Sequence, residues 1–123
     1  MDIFSGIRTS LVEILDIEAA EITPETYLVR DLGAESIDLL ELSVALNSTF
    51  KVEINDDDLF LRTLRVCLNE AQESQSNIDS TLGEKFPFLG PDRIGEILAE
   101  LDGGPVLKVK DLVAYVAWQL GGK

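Results

Sequence analysis

Histidine is absent from this chain, and with it go the usual general base, the usual zinc ligand and the common serine triad. Carboxylates are plentiful, but none stands in a context that marks an acid–base pair, so no intrinsic catalysis is expected. Cysteine occurs once, at Cys67. An internal disulfide is therefore impossible, a reducing compartment is the expectation, and Cys67 reads as a small packed hydrophobe rather than a nucleophile. Bases are scarce, with 10 Lys and Arg against 23 Asp and Glu and a formal net charge of −13. That balance argues against nucleic-acid or anionic-membrane binding and favours partners with basic patches. The deficit is lopsided, since residues 1–60 hold 14 acids and 3 bases and residues 61–123 hold 9 and 7. No apolar run is long enough to span a bilayer, and the first residues lack a basic segment followed by an apolar one. A cytoplasmic protein without a membrane span is the expectation.

What remains suits a globular chain. The 123 residues, 46% of them hydrophobic, fit one domain with a modest core, and a monomer is expected. The most informative stretch begins at Asp31. Gly33 punctuates the chain, Ser36 is placed as an N-cap, and Asp38 falls in the first turn, where its charge suits the helix dipole. At 3.6 residues per turn, Leu39, Leu42, Leu46 and Phe50 form a face turned to the core. Ile37, Leu40 and Val44 form a second row, bordered by Ser36, Ser43 and Glu41. The residues alone leave that row open between a docking strip and ordinary core.

Asp31-Leu32-Gly33-Ala34-Glu35-Ser36-Ile37-Asp38 resembles the Asp-Leu-Gly-Ala-Asp-Ser-Leu-Asp signature of acyl carrier proteins, with Glu35 and Ile37 conserving charge and volume. The resemblance implies an all-α, up-and-down helical bundle. It implies covalent 4'-phosphopantetheine on Ser36, placed there from coenzyme A by a magnesium-dependent phosphopantetheinyl transferase, with acyl chains held as thioesters on its thiol. It implies acidic docking positions at Asp31, Glu35, Asp38 and Glu41, and apolar ones at Ile37, Leu40 and Val44, facing acyl-handling enzymes of fatty-acid or specialised lipid biosynthesis. Without the resemblance, Ser36 reads equally as a plain cap. An acidic interaction module lacking any cofactor is the alternative, and a peptidyl or aminoacyl carrier would share the same serine.

Along the chain, helical spacing of Ile7, Leu11, Ile14 and Leu15 predicts a first helix over about 2–16. A long loop follows to Glu35, pinned by Ile22, Tyr27, Leu28, Val29 and Leu32; loops of this length are often functional. Asn55 and the acids at 56–58 lack the alternating ligands, glycine and terminal Glu of a calcium loop, so no metal is expected; Asn55 or Asp56 is placed as a cap. A helix is predicted over about 57–72 with Phe60, Leu64, Cys67, Leu68 and Ala71 on one side. Residues 73–82 read as a polar linker. Phe86 to Leu89 form an apolar patch without regular structure, to be buried or used in binding. Pro91 opens a short helix with Ile94, Ile97, Leu98 and Leu101 inward, closed by 102–105. The last helix, about 109–120, is given a stripe of Val109, Leu112, Val113, Val116 and Leu120, with Tyr115 and Trp118 at its borders and a stop at Gly121 and Gly122. Its run Val109 to Val116 is similar to the closing helix of acyl carrier proteins, although Lys108 replaces the family's usual capping Thr. The resemblance covers about 1–60 and 106–120, which makes residues 61–105 an insertion in a single carrier domain. The insertion is expected either to enlarge the acyl pocket or to form a recognition surface.

Overall fold

The computed structural model describes residues 2–55, 59–61, 64–74, 77–103 and 106–121. Its elements are helical, and among the described residues the one sheet-like contact is an isolated bridge between Tyr27 and Lys108. Helix α1 (Ile3–Leu15) begins where the Asp2 carboxylate accepts from the Ser5 N–H at 3.0 Å, and ends at Asp16 in left-handed backbone. Its Ile7 and Leu11 are buried. Helices α2 (Ser36–Phe50) and α6 (Val109–Leu120) both pack on α1, with Leu42, Leu46, Leu112 and Val116 fully buried between them. The bounds of all three helices follow the apolar periodicity as expected.

Between α2 and α6 the chain forms α3 (Leu64–Glu73), α4 (Ile78–Lys85) and α5 (Pro91–Glu100), with α3 packed on α4 and α4 on α5. The continuous helix expected over 57–72 is interrupted. Leu61 takes φ 54°, a left-handed conformation that a right-handed helix cannot contain, and α3 starts three residues later. Burial of Leu61 holds that strained backbone in place. The expected apolar face of Phe60, Leu64, Cys67, Leu68 and Ala71 is buried nonetheless. Asp56 and Asp57, read as cap and helix start, lie outside the described residues, as do Gln75, Ser76, Gly104, Pro105 and Gly122.

The polar linker expected over 73–82 is also corrected. Most of it is helical, because Asn77 Oδ1 accepts from the Ser80 N–H at 3.0 Å and so caps α4, while Leu82 reaches the core. Of the following patch, Phe86 and Leu89 are buried, so it serves the interior. Helix α5 follows its expectation, with Pro91 in its first turn and Ile94 and Ile97 buried; Leu101 to Gly103 continue it as a 3₁₀ turn.

One hydrophobic cluster joins both halves, since Ile7, Leu42, Leu82, Phe86, Ile97 and Leu112 belong to it together. Tyr115 is fully buried rather than bordering the stripe of α6. Its hydroxyl accepts from the Asn55 N–H at 3.0 Å and from Gln119 Nε2 at 2.8 Å, which satisfies the polar end, and its ring meets Phe88 edge-on at 5.1 Å. Leu120, placed in that stripe by spacing, is 50% exposed in the last turn.

Candidate functional site

The loop before α2 is held by backbone pairing. The Leu28 N–H donates to Leu107 O at 3.1 Å, Val109 to Thr26 O at 3.0 Å and Lys110 to Pro24 O at 3.0 Å. A tight turn then carries the chain upward to the serine. Gly33 donates to Val29 O and Ala34 to Leu28 O, each at 3.0 Å, and Asp31 Oδ2 accepts from the Tyr27 N–H at 2.9 Å. Gly33 sits at φ 68°, where a side chain would be strained. Ala34 is buried and anchors the end of the turn.

Ser36 is the first residue of α2 and is exposed. It is not the N-cap. That position belongs to Glu35, whose N–H donates to Asp38 Oδ2 at 2.8 Å, while Leu39 closes the first helical turn on Glu35 O at 3.0 Å. The shift of one residue leaves the Ser36 hydroxyl without a hydrogen bond among the described residues. It stands at the positive end of a 15-residue helix whose first N–H groups lack intrahelical acceptors.

Beyond it runs the second apolar row. Ile37, Leu40 and Val44 are 62%, 54% and 62% exposed, which decides the question left open by periodicity: the row is surface and not core. Asp31, Glu35 and Glu41 are exposed and Asp38 is half-buried. Asp31 and Asp38 also hold backbone N–H groups, so their carboxylates are oriented by the fold. Phe50 is half-buried, unlike Leu42 and Leu46. A cavity of about 210 Å³ adjoins Val44, lined by Ser43, Asn47 and Ile54. Among the described residues no group of three or more potential ligands could hold a metal ion, and no helix is long and apolar enough to cross a membrane.

A polar network near the loop was not read from the sequence. Arg93 on α5 donates from Nε and Nη2 to the two oxygens of Asp111 at 2.7 and 2.8 Å, and from Nη2 to Val106 O at 2.7 Å. Burial pulls the Arg93 guanidinium down, but the carboxylates of Asp111 and Glu96 together outweigh it and its value is raised. Asp111 Oδ2 also accepts from the Lys108 N–H at 2.9 Å, so Lys108 is the N-cap of α6 and Asp111 completes the cap. Lys110 and Lys108 reach Glu25 at 2.9 and 3.0 Å and hold its carboxyl below the ordinary value. Tyr27 lies between Arg30 and Lys108, 4.4 and 4.9 Å from its ring centre. The adjacent Glu100 carboxylate raises its phenol. The cap pattern of Lys108 and Asp111 was available in the sequence; the pairing of Asp111 with Arg93 had no local signal.

Comparison with known proteins places this geometry. The family model described as "Phosphopantetheine attachment site" matches residues 5–66. A protein named "Acyl carrier protein" from Helicobacter pylori strain J99 is 44% identical over 57 residues, covering 46% of this chain and 73% of that relative. The protein of the same name from strain G27 is 46% identical over the same length. No solved structure gives a significant match. The chain belongs to the acyl carrier protein family, whose members bear a covalently attached 4'-phosphopantetheine. Its role is that of a carrier of acyl groups rather than an enzyme, working with a phosphopantetheinyl transferase and acyl-handling enzymes.

Proposed function

We propose that Ser36 is the attachment point of the prosthetic group, and that the loaded chain acts in the cytoplasm, as a monomer, for enzymes of specialised lipid synthesis. The observation that carries this reading is the exposed Ser36 hydroxyl at the head of α2, without a competing hydrogen bond among the described residues. The residues present fit a phosphodiester there. The helix N-terminus favours an anion, and the carboxylate of Asp38 is turned onto the Glu35 N–H. When bound, the group supplies a thiol that holds acyl chains as thioesters. The chain itself presents the hydroxyl, fixes the turn behind it through Gly33 and Ala34, and offers docking contacts.

Those contacts are Ile37, Leu40 and Val44, rimmed by Asp31, Glu35, Asp38 and Glu41, for partners with basic patches around an apolar centre. Asn47 and Ser48 near the end of α2, and Lys51 just past it, stand where the resemblance leads one to expect acids, which supports a dedicated set of enzymes over bulk fatty-acid elongation. Residues 61–105 belong to the same domain in this reading, a reading supported by Leu64, Leu68, Leu82, Phe86, Ile94 and Ile97, which share the core cluster with Ile7 and Leu42.

The test is intact mass after incubation with coenzyme A, Mg²⁺ and a promiscuous phosphopantetheinyl transferase. One pantetheine adduct is expected on the natural chain and none on Ser36→Ala. No adduct, or equal modification of both, would overturn the assignment. Efficient turnover by a general fatty-acid ketosynthase would instead refute the specialised role.

A further inference from the structure

Arg30 precedes Ser36 by six residues within the family match, and its guanidinium docks on residues that lie beyond that match. Its Nη2 donates to Glu100 O at the end of α5, at 3.0 Å. A helix C-terminus carries partial negative charge and suits a cation. One face of the guanidinium lies over Tyr27 at 4.4 Å. Gly103 closes on the guanidinium so tightly that an added Cβ would stand 3.1 Å from Nη2. Arg30 directly follows the two residues whose carbonyls hold the serine turn, with Val29 O accepting from Gly33 and Leu28 O from Ala34.

We propose that Arg30 is a positioning residue for modification at Ser36: docked between Tyr27, Glu100 and Gly103, it fixes the turn that presents the serine. The proposal rests on Ser36 being the attachment point. A transferase meets the hydroxyl productively in one placement of the turn. If the turn samples others, apparent affinity falls in proportion to the competent fraction, while the rate of the bound complex is unchanged. Loss of the socket therefore raises KM for the carrier and spares kcat.

The experiment measures loading kinetics by intact mass, and amide exchange at Gly33 and Ala34, for Arg30→Ala, Arg30→Lys, Gly103→Val and the double variant Arg30→Ala with Gly103→Val. Arg30→Ala should raise KM about tenfold with kcat within about twofold. Gly103→Val, which acts from the opposite side of the socket, should shift KM the same way, and the double variant should be no worse than the poorer single one. Arg30→Lys, which keeps a cation for Glu100 O, should recover part of the loss. Gly33 and Ala34 should exchange faster in both disruptive single variants, with α1 and α6 unchanged. A loading defect in Arg30→Ala alone, with Gly103→Val and exchange at their natural values, would mean direct contact with the transferase and overturn the proposal. Unaltered exchange in Arg30→Ala would overturn it on its own. A natural chain that takes no adduct would refute the Ser36 assignment, and this proposal with it.

Discussion

Arg93 and Asp111, eighteen residues apart, form a two-pronged buried ion pair with oxygen distances of 2.7 and 2.8 Å. Each partner is also committed elsewhere, Arg93 to Val106 O and Asp111 to the Lys108 N–H. Removing one side strands a charge in the interior and opens the α6 cap. Asp111→Ala should therefore cost about 3–5 kcal/mol, measured as a fall in the urea midpoint. A loss near that of an exposed pair, about 0–1 kcal/mol, would contradict the burial.

The two faces of α2 should separate cleanly under truncation. Leu42→Ala or Leu46→Ala should each cost about 2–5 kcal/mol, because both are fully buried. Phe50→Ala should cost less than the usual value for a core aromatic, since it is half-buried. Leu40→Ala and Val44→Ala should stay within about 0.5 kcal/mol in equilibrium unfolding, yet lower turnover with partner enzymes.

Ser36→Ala should abolish loading with a stability change under about 0.5 kcal/mol. A serine acting as the cap would cost about 1 kcal/mol, but the structure assigns the cap to Glu35. Thermal melts of the two unmodified proteins check this.

The Glu25–Lys110–Glu96 cluster gives a pH signature. Lys110 and then Lys108 depress the Glu25 carboxyl from its ordinary 4.5, Lys110 and then Arg93 depress Glu96, and Glu25 chiefly raises Lys110 above 10.5. Depressed carboxyls favour the folded state above their ordinary value and lose that advantage as pH falls below it; the lysine's advantage holds below 10.5 and is lost as pH climbs through its raised value. Glu25 is 63% exposed, so solvent screens much of the effect. Lys110→Met should melt slightly below the natural chain at neutral pH, and the gap should close below pH 4.5 and in high salt. A gap that persists in acid would contradict this origin.

Local signals sufficed where structure is set by neighbours in sequence. The spacing of Ile7 and Leu11, of Leu42 and Leu46, and of Leu112 and Val116 gave the three bundle helices, and the motif around Gly33 placed Ser36 within one residue of its helical position. The middle of the chain was harder to read. Nothing local announces that Leu61 takes a left-handed backbone, because burial pays its strain. Helix α4 hid in a polar run because its stability comes from the Asn77 cap and the reach of Leu82. The Arg93 and Arg30 contacts join residues 18 and 70 positions apart, a scale that periodicity does not sample.

Trp118 is the chain's single tryptophan, and it stands 5.9 Å from Phe88 and 6.0 Å from Tyr115. The protein thus carries a built-in optical reporter at the seam between its last helix and the turn after α4. Detaching that turn would wet the indole and shift its emission to the red, so fluorescence alone can follow whether the middle of the chain stays closed while a cargo is loaded or handed on.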